Sequence, residues 1–126
     1  MPDRPKSTQS RRWTTLCRID EIEPGRAKYV EFDGRAYSVV RKKRGDDETD
    51  NDCVWIFDDA CPHAGASMSY GSVQDQCFVC PVHQWAFALN GGRNPDNPAI
   101  RLPQYPCRVF DGEVQIGQEN RRQESK

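Results

Sequence analysis

The sequence lacks several features, and each absence excludes a class of protein. No apolar run approaches the roughly 18 residues of a membrane-spanning helix, so no membrane span is expected. No apolar stretch keeps a 3.6-residue period, so no long amphipathic helix is expected. Neither charge is in excess: 18 basic and 19 acidic side chains give a net charge of −1, which provides no electrostatic basis for binding nucleic acid. A G-x-G-x-x-G unit for a flavin or nicotinamide cofactor is also missing.

The remaining length and composition predict one folded domain with a polar tail at each end. A chain of 126 residues has room for a single core. Residues 1–12 and 118–126 are polar and lack periodic apolar positions, so both are predicted to be flexible and the domain to span 13–117. Residues 42–52 carry charges of both signs and predict a solvated hairpin extension, with a docking loop as the alternative. No apolar signal segment follows the N-terminus, so a cytoplasmic protein is expected.

The folded part is predicted to be all-β and antiparallel. Asp33-Gly34 and Asp111-Gly112 are two-residue hairpin signals between apolar stretches. The second hairpin shows clean alternation of apolar and polar residues. The predicted strands are Ala27 to Phe32, Arg35 to Arg41, Cys53 to Phe57, Cys77 to Val79, Arg108 to Phe110 and Glu113 to Ile116.

Six cysteines and only two histidines stand in the chain. In a small secreted protein six cysteines would suggest three disulfides, whereas in a reducing compartment clustered cysteines more often bind metal. Four of the six are predicted to be small core residues, namely Cys17, Cys53, Cys77 and Cys107.

Both histidines lie in two short segments that also contain a cysteine, Cys61-Pro62-His63 and Cys80-Pro81-Val82-His83. Each segment can place a thiolate and an imidazole on one loop, and a hairpin would bring the two loops together as a Cys₂His₂ pocket. A structural zinc site is one alternative, because Cys77-Phe78-Val79-Cys80 is a C-x-x-C motif and zinc accepts two cysteines and two histidines. The C-x-H spacing, however, is tighter than is usual in zinc fingers.

The pattern C-x-H, sixteen residues and C-x-x-H resembles the Rieske iron–sulfur family. The resemblance extends to Ala64-Gly65-Ala66 after the first pair and to Trp85-Ala86-Phe87 after the second, and it covers roughly residues 15–117. It implies an antiparallel β-sandwich with a small cluster-binding subdomain formed by two loops. It also implies one [2Fe–2S] cluster per chain, with Cys61 and Cys80 on the inner iron and His63 and His83 on the outer iron.

The same resemblance predicts the surroundings of the cluster. An apolar rim at the exposed tip of the loops, together with residues behind the cluster, is expected to comprise Pro62, Ala64, Gly65, Met68, Pro81, Val82, Trp85 and Phe87.

Four positions suggest the low-potential class of the family. Respiratory members carry a loop disulfide at the positions of Ala66 and Val82, and hydroxyl donors at the positions of Trp85 and Phe87. This chain has neither feature. A catalytic mononuclear iron would need two more histidines, and none is left.

The expected function is therefore a one-electron carrier rather than an oxygenase. The favoured partners are a flavoprotein reductase and a terminal oxygenase. The alternative is a small electron-transfer subunit beside the large subunit of an NAD(P)H-dependent nitrite reductase. A structural zinc-binding module is the least favoured interpretation.

Overall fold

A computed structural model describes residues 11–42, 53–62, 65–82 and 84–119. These ranges contain ten strands and two three-residue 3₁₀ turns, Ile19–Glu21 and Met68–Tyr70, and within them there is no α-helix. None of their helical segments is long and apolar enough to cross a membrane. The strands are β1 (Arg11–Arg18), β2 (Ala27–Phe32), β3 (Arg35–Lys42), β4 (Cys53–Asp58), β5 (Ser72–Gln74), β6 (Cys77–Val79), β7 (Ala86–Ala88), β8 (Gln104–Tyr105), β9 (Cys107–Phe110) and β10 (Glu113–Glu119).

The strands form three sheets in which every pairing is antiparallel, so the all-β expectation is confirmed. The first sheet has the order β1-β10-β9, the second β2-β3-β4-β8 and the third β5-β6-β7. The third sheet is small, with three strands of three residues each. The segment that begins at Cys80 lies between β6 and β7 of this sheet, and the segment that begins at Cys61 lies between β4 of the second sheet and β5.

The second sheet is central because both of its faces are buried. Val39 and Val40 are adjacent on β3 and point to opposite faces, yet both are 0% exposed. Ile56 and Phe57 on β4 behave in the same way. One face packs with residues of the first sheet. The other face belongs to a group that we call the cysteine-side core: Val40, Phe57, Cys61, Met68, Phe78, Cys80, Phe87, Leu89 and Leu102.

Both Asp-Gly hairpins are confirmed. Asp33 and Gly34 have φ values of 56° and 80°, and Asp111 and Gly112 have 54° and 78°, the left-handed pair that a two-residue hairpin requires. The alternation predicted for the second hairpin is wrong for β9. Its residues from Arg108 to Phe110 are all exposed, because β9 is the outer strand of its sheet.

Strand pairing extends two residues beyond each predicted end of the domain. Arg11 and Arg12, assigned to the first tail, pair with Glu119 and Gln118, assigned to the second. Backbone hydrogen bonds make this pairing, so it needs no apolar periodicity. Lys42 likewise belongs to β3 rather than to the charged run. The rest of that run and of both tails lies outside the described residues.

Of the four cysteines predicted for the core, only Cys17 is buried, at 7% exposure. Cys53, Cys77 and Cys107 are half-buried, and each is the first residue of a strand. Burial and nearby Glu21 raise the pKa of Cys17 to about 11. Burial and the neighbouring Cys17 raise the pKa of Cys107 to about 12. Both thiols are therefore neutral at physiological pH.

Candidate functional site

Two loops of similar construction carry Cys61 and Cys80. We call residues 61–66 the first cysteine loop and residues 80–85 the second. In the first, the N–H of Cys61 donates to the carbonyl of Ala66 at 2.9 Å; in the second, the N–H of Cys80 donates to the carbonyl of Trp85 at 2.7 Å. The residue four places after each cysteine has a positive φ, 73° in the first loop and 56° in the second. Each loop is thus closed at its base by a hydrogen bond between equivalent positions.

The β5–β6 hairpin places the two loops side by side. The first cysteine loop leads through the 3₁₀ turn Met68–Tyr70 into β5, and β6 leads directly into the second. Ser72 of β5 pairs with Val79 of β6, next to Cys80. A tight turn at Asp75 and Gln76, with φ values of 49° and 65°, fixes this register.

The two cysteine side chains meet in the interior. Cys61 is 2% exposed and Cys80 is 0% exposed, and both are free thiols. Burial raises the pKa of Cys80, and the neighbouring thiol of Cys61 raises it further. The N–H of Val82 opposes this shift by donating to the Cys80 sulfur at 3.4 Å. Two unbridged cysteines on different loops, buried in the same core, are suitable ligands for a thiophilic metal centre.

Apolar side chains shield these sulfurs from the inner side. Phe87 and Met68 are fully buried in the cysteine-side core together with both cysteines. Val82 and Trp85 from the second loop are half-buried against the same core. Water is therefore excluded from the inner side of the sulfur pair.

The residues predicted for the rim fall into different environments. Pro62, Gly65 and Pro81 are exposed at the loops. Met68 was predicted to lie at the exposed tip, and this is wrong: its side chain is 0% exposed, because the 3₁₀ turn directs it inward. His63, Ala64 and His83 lie outside the described residues.

The C-x-x-C motif does not bring its two thiols together. Cys77 and Cys80 are joined by strand β6, along which three residues span about 10 Å. Cys77 is half-buried at the far end of that strand, whereas Cys80 lies in the cysteine-side core. One zinc ion, with Zn–S bonds of about 2.3 Å, cannot bind both sulfurs in this arrangement.

Two buried polar residues near the loops were not predicted from the sequence. Asn94, 7% exposed, donates to the carbonyl of Ala86 at 3.0 Å and accepts from the N–H groups of Asp96 and Asn97. It thereby holds the following turn beside the second cysteine loop. Asp59, 6% exposed, lies under the first. The sequence does not distinguish the buried Asp59 from the half-buried Asp58 before it. Burial at the end of a strand depends on which distant segments pack over it.

Comparison with known proteins identifies the family. The model of the Rieske [2Fe–2S] domain matches residues 12–106. The ferredoxin component of the alkene monooxygenase system of Xanthobacter autotrophicus is 31% identical over 108 residues, which are 85% of this chain and 82% of that protein. A crystal structure described as an NADH-dependent nitrite reductase small subunit from Mycobacterium tuberculosis superposes with a TM-score of 0.73 at 32% identity, covering 86% of this chain and 96% of the other.

Other relatives are much longer proteins. The Drosophila melanogaster cholesterol 7-desaturase nvd is 34% identical over 92 residues, which are 72% of this chain and 19% of that protein. This chain thus spans about a fifth of the length of the first curated relatives that it matches.

These matches, with the fold and the paired cysteine loops, define the class of protein. The chain belongs to the Rieske [2Fe–2S] domain family. Its cofactor is a Rieske-type [2Fe–2S] cluster, and the two buried, unbridged cysteines fit such a group.

Proposed function

We propose that this protein is a one-electron carrier whose cluster is held by Cys61, His63, Cys80 and His83. The burial of both cysteines in one core cluster, at the bases of two similarly built loops, is the observation that carries the proposal. When bound, the cluster accepts and releases one electron. The histidine assignment is supported by the sequence spacing alone, one imidazole two residues after Cys61 and one three residues after Cys80.

The chain's own groups support this role from the cysteine side. The N–H of Val82 points at the Cys80 sulfur, and hydrogen bonds to cluster sulfurs raise the reduction potential by stabilising added negative charge. The apolar wall of Met68 and Phe87 keeps water away from the sulfurs and confines exchange of electrons with partners to the loop side.

The cofactor content tests the proposal directly. Protein purified without air after expression with adequate iron should contain two irons and two acid-labile sulfides per chain. The reduced form should give the low average g-value electron paramagnetic resonance (EPR) signal of a cluster with two histidine ligands. One zinc per chain without iron, in the same preparation, would refute the proposal.

We further propose that the electron passes from a flavoprotein reductase to a terminal oxygenase. Supporting this, the alkene monooxygenase ferredoxin component is matched over 82% of its length, so the likeness is to a small separate protein and not only to a domain of a larger one. Stopped-flow mixing with the reductase and oxygenase encoded nearest to this chain should show cluster reduction by the first and reoxidation by the second.

A second candidate function is that of a small subunit in an NAD(P)H-dependent nitrite reductase. The match at 32% identity to the Mycobacterium tuberculosis structure favours it. In that case the protein should elute from gel filtration in a stoichiometric complex with a large subunit that contains sirohaem. Elution as a small independent protein that exchanges electrons in transient encounters would favour the ferredoxin role.

The midpoint potential should lie near the low end of the Rieske range. Rieske centres span roughly −150 to +300 mV. Trp85 and Phe87 provide no hydroxyl donor at the positions where high-potential members have one, so we expect about −150 to −50 mV, within that range. Protein-film voltammetry would measure it, and a value above about +100 mV would contradict the assignment to the low-potential class.

Phe87→Tyr tests the hydroxyl argument within this chain. Phe87 is 0% exposed and lies in the same core as both cysteines, so a hydroxyl added there enters the core that contains the sulfurs. A hydrogen bond contributes about 1 kcal/mol, which for one electron is about 40 mV upward. Phe87→Leu is the control, since it alters packing without adding a hydroxyl, and an equal upward shift in both variants would contradict the argument.

We also propose that the protein resides in the cytoplasm. The four cysteines outside the cluster site, Cys17, Cys53, Cys77 and Cys107, are free, and a reducing compartment keeps thiols in that state. This supports the location expected from the sequence, and fractionation with an antibody against the protein would test it.

A further inference from the structure

Asp59 is a buried carboxylate that lies two residues before Cys61. Its exposure is 6%, and three groups donate hydrogen bonds to it. The hydroxyl of Ser38 donates to Oδ1 at 2.7 Å, the hydroxyl of Ser67 to Oδ2 at 2.6 Å, and the N–H of Ser69 to Oδ1 at 3.0 Å. Both oxygens act as acceptors, as those of an ionised carboxylate do.

The negative charge of Asp59 is held by neutral groups. Its three donors are two hydroxyls and one amide. The ion pairs Arg18–Asp20 and Lys28–Glu21 do not involve Asp59. A buried carboxylate held in this way produces a negative potential that water screens poorly.

The donors also fix where this charge lies. Ser38 is on β3 of the central sheet, and its side chain is on the same face as Val40 of the cysteine-side core. Ser67 and Ser69 flank Met68, which is buried in that core with both cysteines. Asp59 thus joins the central sheet to the base of the first cysteine loop, and its charge is held on the cysteine side.

We propose that Asp59 lowers the reduction potential of the cluster by its fixed negative charge. The inference rests on the proposed electron-carrier function. Reduction adds one negative charge to the cluster, and a buried carboxylate two residues before Cys61 repels that charge. The three hydrogen bonds keep the carboxylate in one orientation so that the repulsion is constant.

Asp59→Asn removes the charge and nearly preserves the shape of the side chain. In the intact protein with its cluster, at one pH and ionic strength, the ratio of reduced to oxidised cluster at the wild-type midpoint should rise about tenfold. For one electron this is about 59 mV upward, measured by EPR-monitored redox titration. Asp75→Asn is the matched control: Asp75 is exposed at the turn between β5 and β6, away from the cysteine loops, so its midpoint should remain that of wild type.

Ser38→Ala separates the charge from the geometry. It removes one donor but keeps the carboxylate, so the midpoint should not rise, and loss of the hydroxyl dipole should lower it. If Asp59→Asn protein fails to hold a cluster, Ser38→Ala and Ser67→Ala decide the matter. A lowered midpoint in both supports the proposal, and a wild-type midpoint in both overturns it.

The outcomes distinguish this inference from the function on which it rests. Wild-type protein without the Rieske EPR signal would refute the proposed function before any variant is compared. A wild-type signal with the same midpoint in Asp59→Asn would refute the role of Asp59 alone. An equal rise in Asp59→Asn and Ser38→Ala would assign the effect to loop geometry and also refute the role of the charge.

Discussion

Cys80→Ser protein should be purified without iron or labile sulfide, whereas Cys77→Ser protein should retain both in full. Cys80 is 0% exposed and lies in the same core cluster as Cys61, so a serine there removes one of the two sulfur ligands available at this point. A serine hydroxyl is a poor ligand for iron beside thiolate sulfur. Iron and sulfide assays with the visible absorption spectrum would measure the loss.

Cys77→Ser is a demanding control because the same substitution is made three residues earlier, at the start of the strand that leads to Cys80. Cys77 is half-buried there and does not belong to the cysteine-side core. Its replacement should leave cluster content and the EPR signal unchanged. If both variants lost their metal equally, Cys77 would be a ligand, and a site built on the C-x-x-C motif would replace the one proposed.

Gly71→Ala should destabilise the protein strongly and lower its cluster content. A Cβ atom at Gly71 would collide with the carbonyl oxygen of Val79 and lie 3.2 Å from that of Met68, and both are backbone atoms. Either β5 must separate from β6 or Val79 must move, and Val79 immediately precedes Cys80. Overpacking of this severity costs about 3 kcal/mol or more, so thermal melting should occur more than about 10 °C below wild type.

Gly25→Ala provides the comparison for Gly71→Ala. Gly25 has a φ of 86°, but no atom lies within 4 Å of the position that a Cβ would occupy, so alanine there meets only backbone strain of about 1 kcal/mol. Its melting temperature should fall by a few degrees and its cluster content should be complete. Wild-type melting and full cluster content in Gly71→Ala would show that the hairpin tolerates a wider spacing than the structure has.

Local chemistry made part of this protein predictable from its sequence. The Asp33-Gly34 and Asp111-Gly112 turns were predicted because a two-residue hairpin requires positive φ at both positions, which Asp and Gly tolerate. The strand Ala27–Phe32 was predicted with its observed bounds. The pairing of cysteine with histidine at short spacing led to the Rieske family, and the family match confirmed it. These features depend on residues adjacent in the chain.

Tertiary structure alone decided the short strands and the burial of single side chains. Strands β5, β7 and β8 have two or three residues, too few to show a period, and they exist because neighbouring strands supply their hydrogen bonds. Met68 was predicted to be exposed and is buried, because the 3₁₀ turn that is hydrogen-bonded to Asp59 directs it inward.

The sequence by itself determined the fold class, the two hairpin turns and the family, because residues adjacent in the chain set turn geometry and motif spacing. It did not determine which faces are covered. Val39 and Val40 are both fully buried, although neighbours on a strand point in opposite directions, because the central sheet is packed between two layers. The same packing buries Asp59 and leaves Cys77 half-buried. Burial of this kind depends on contacts between segments far apart in the chain, which no local pattern encodes.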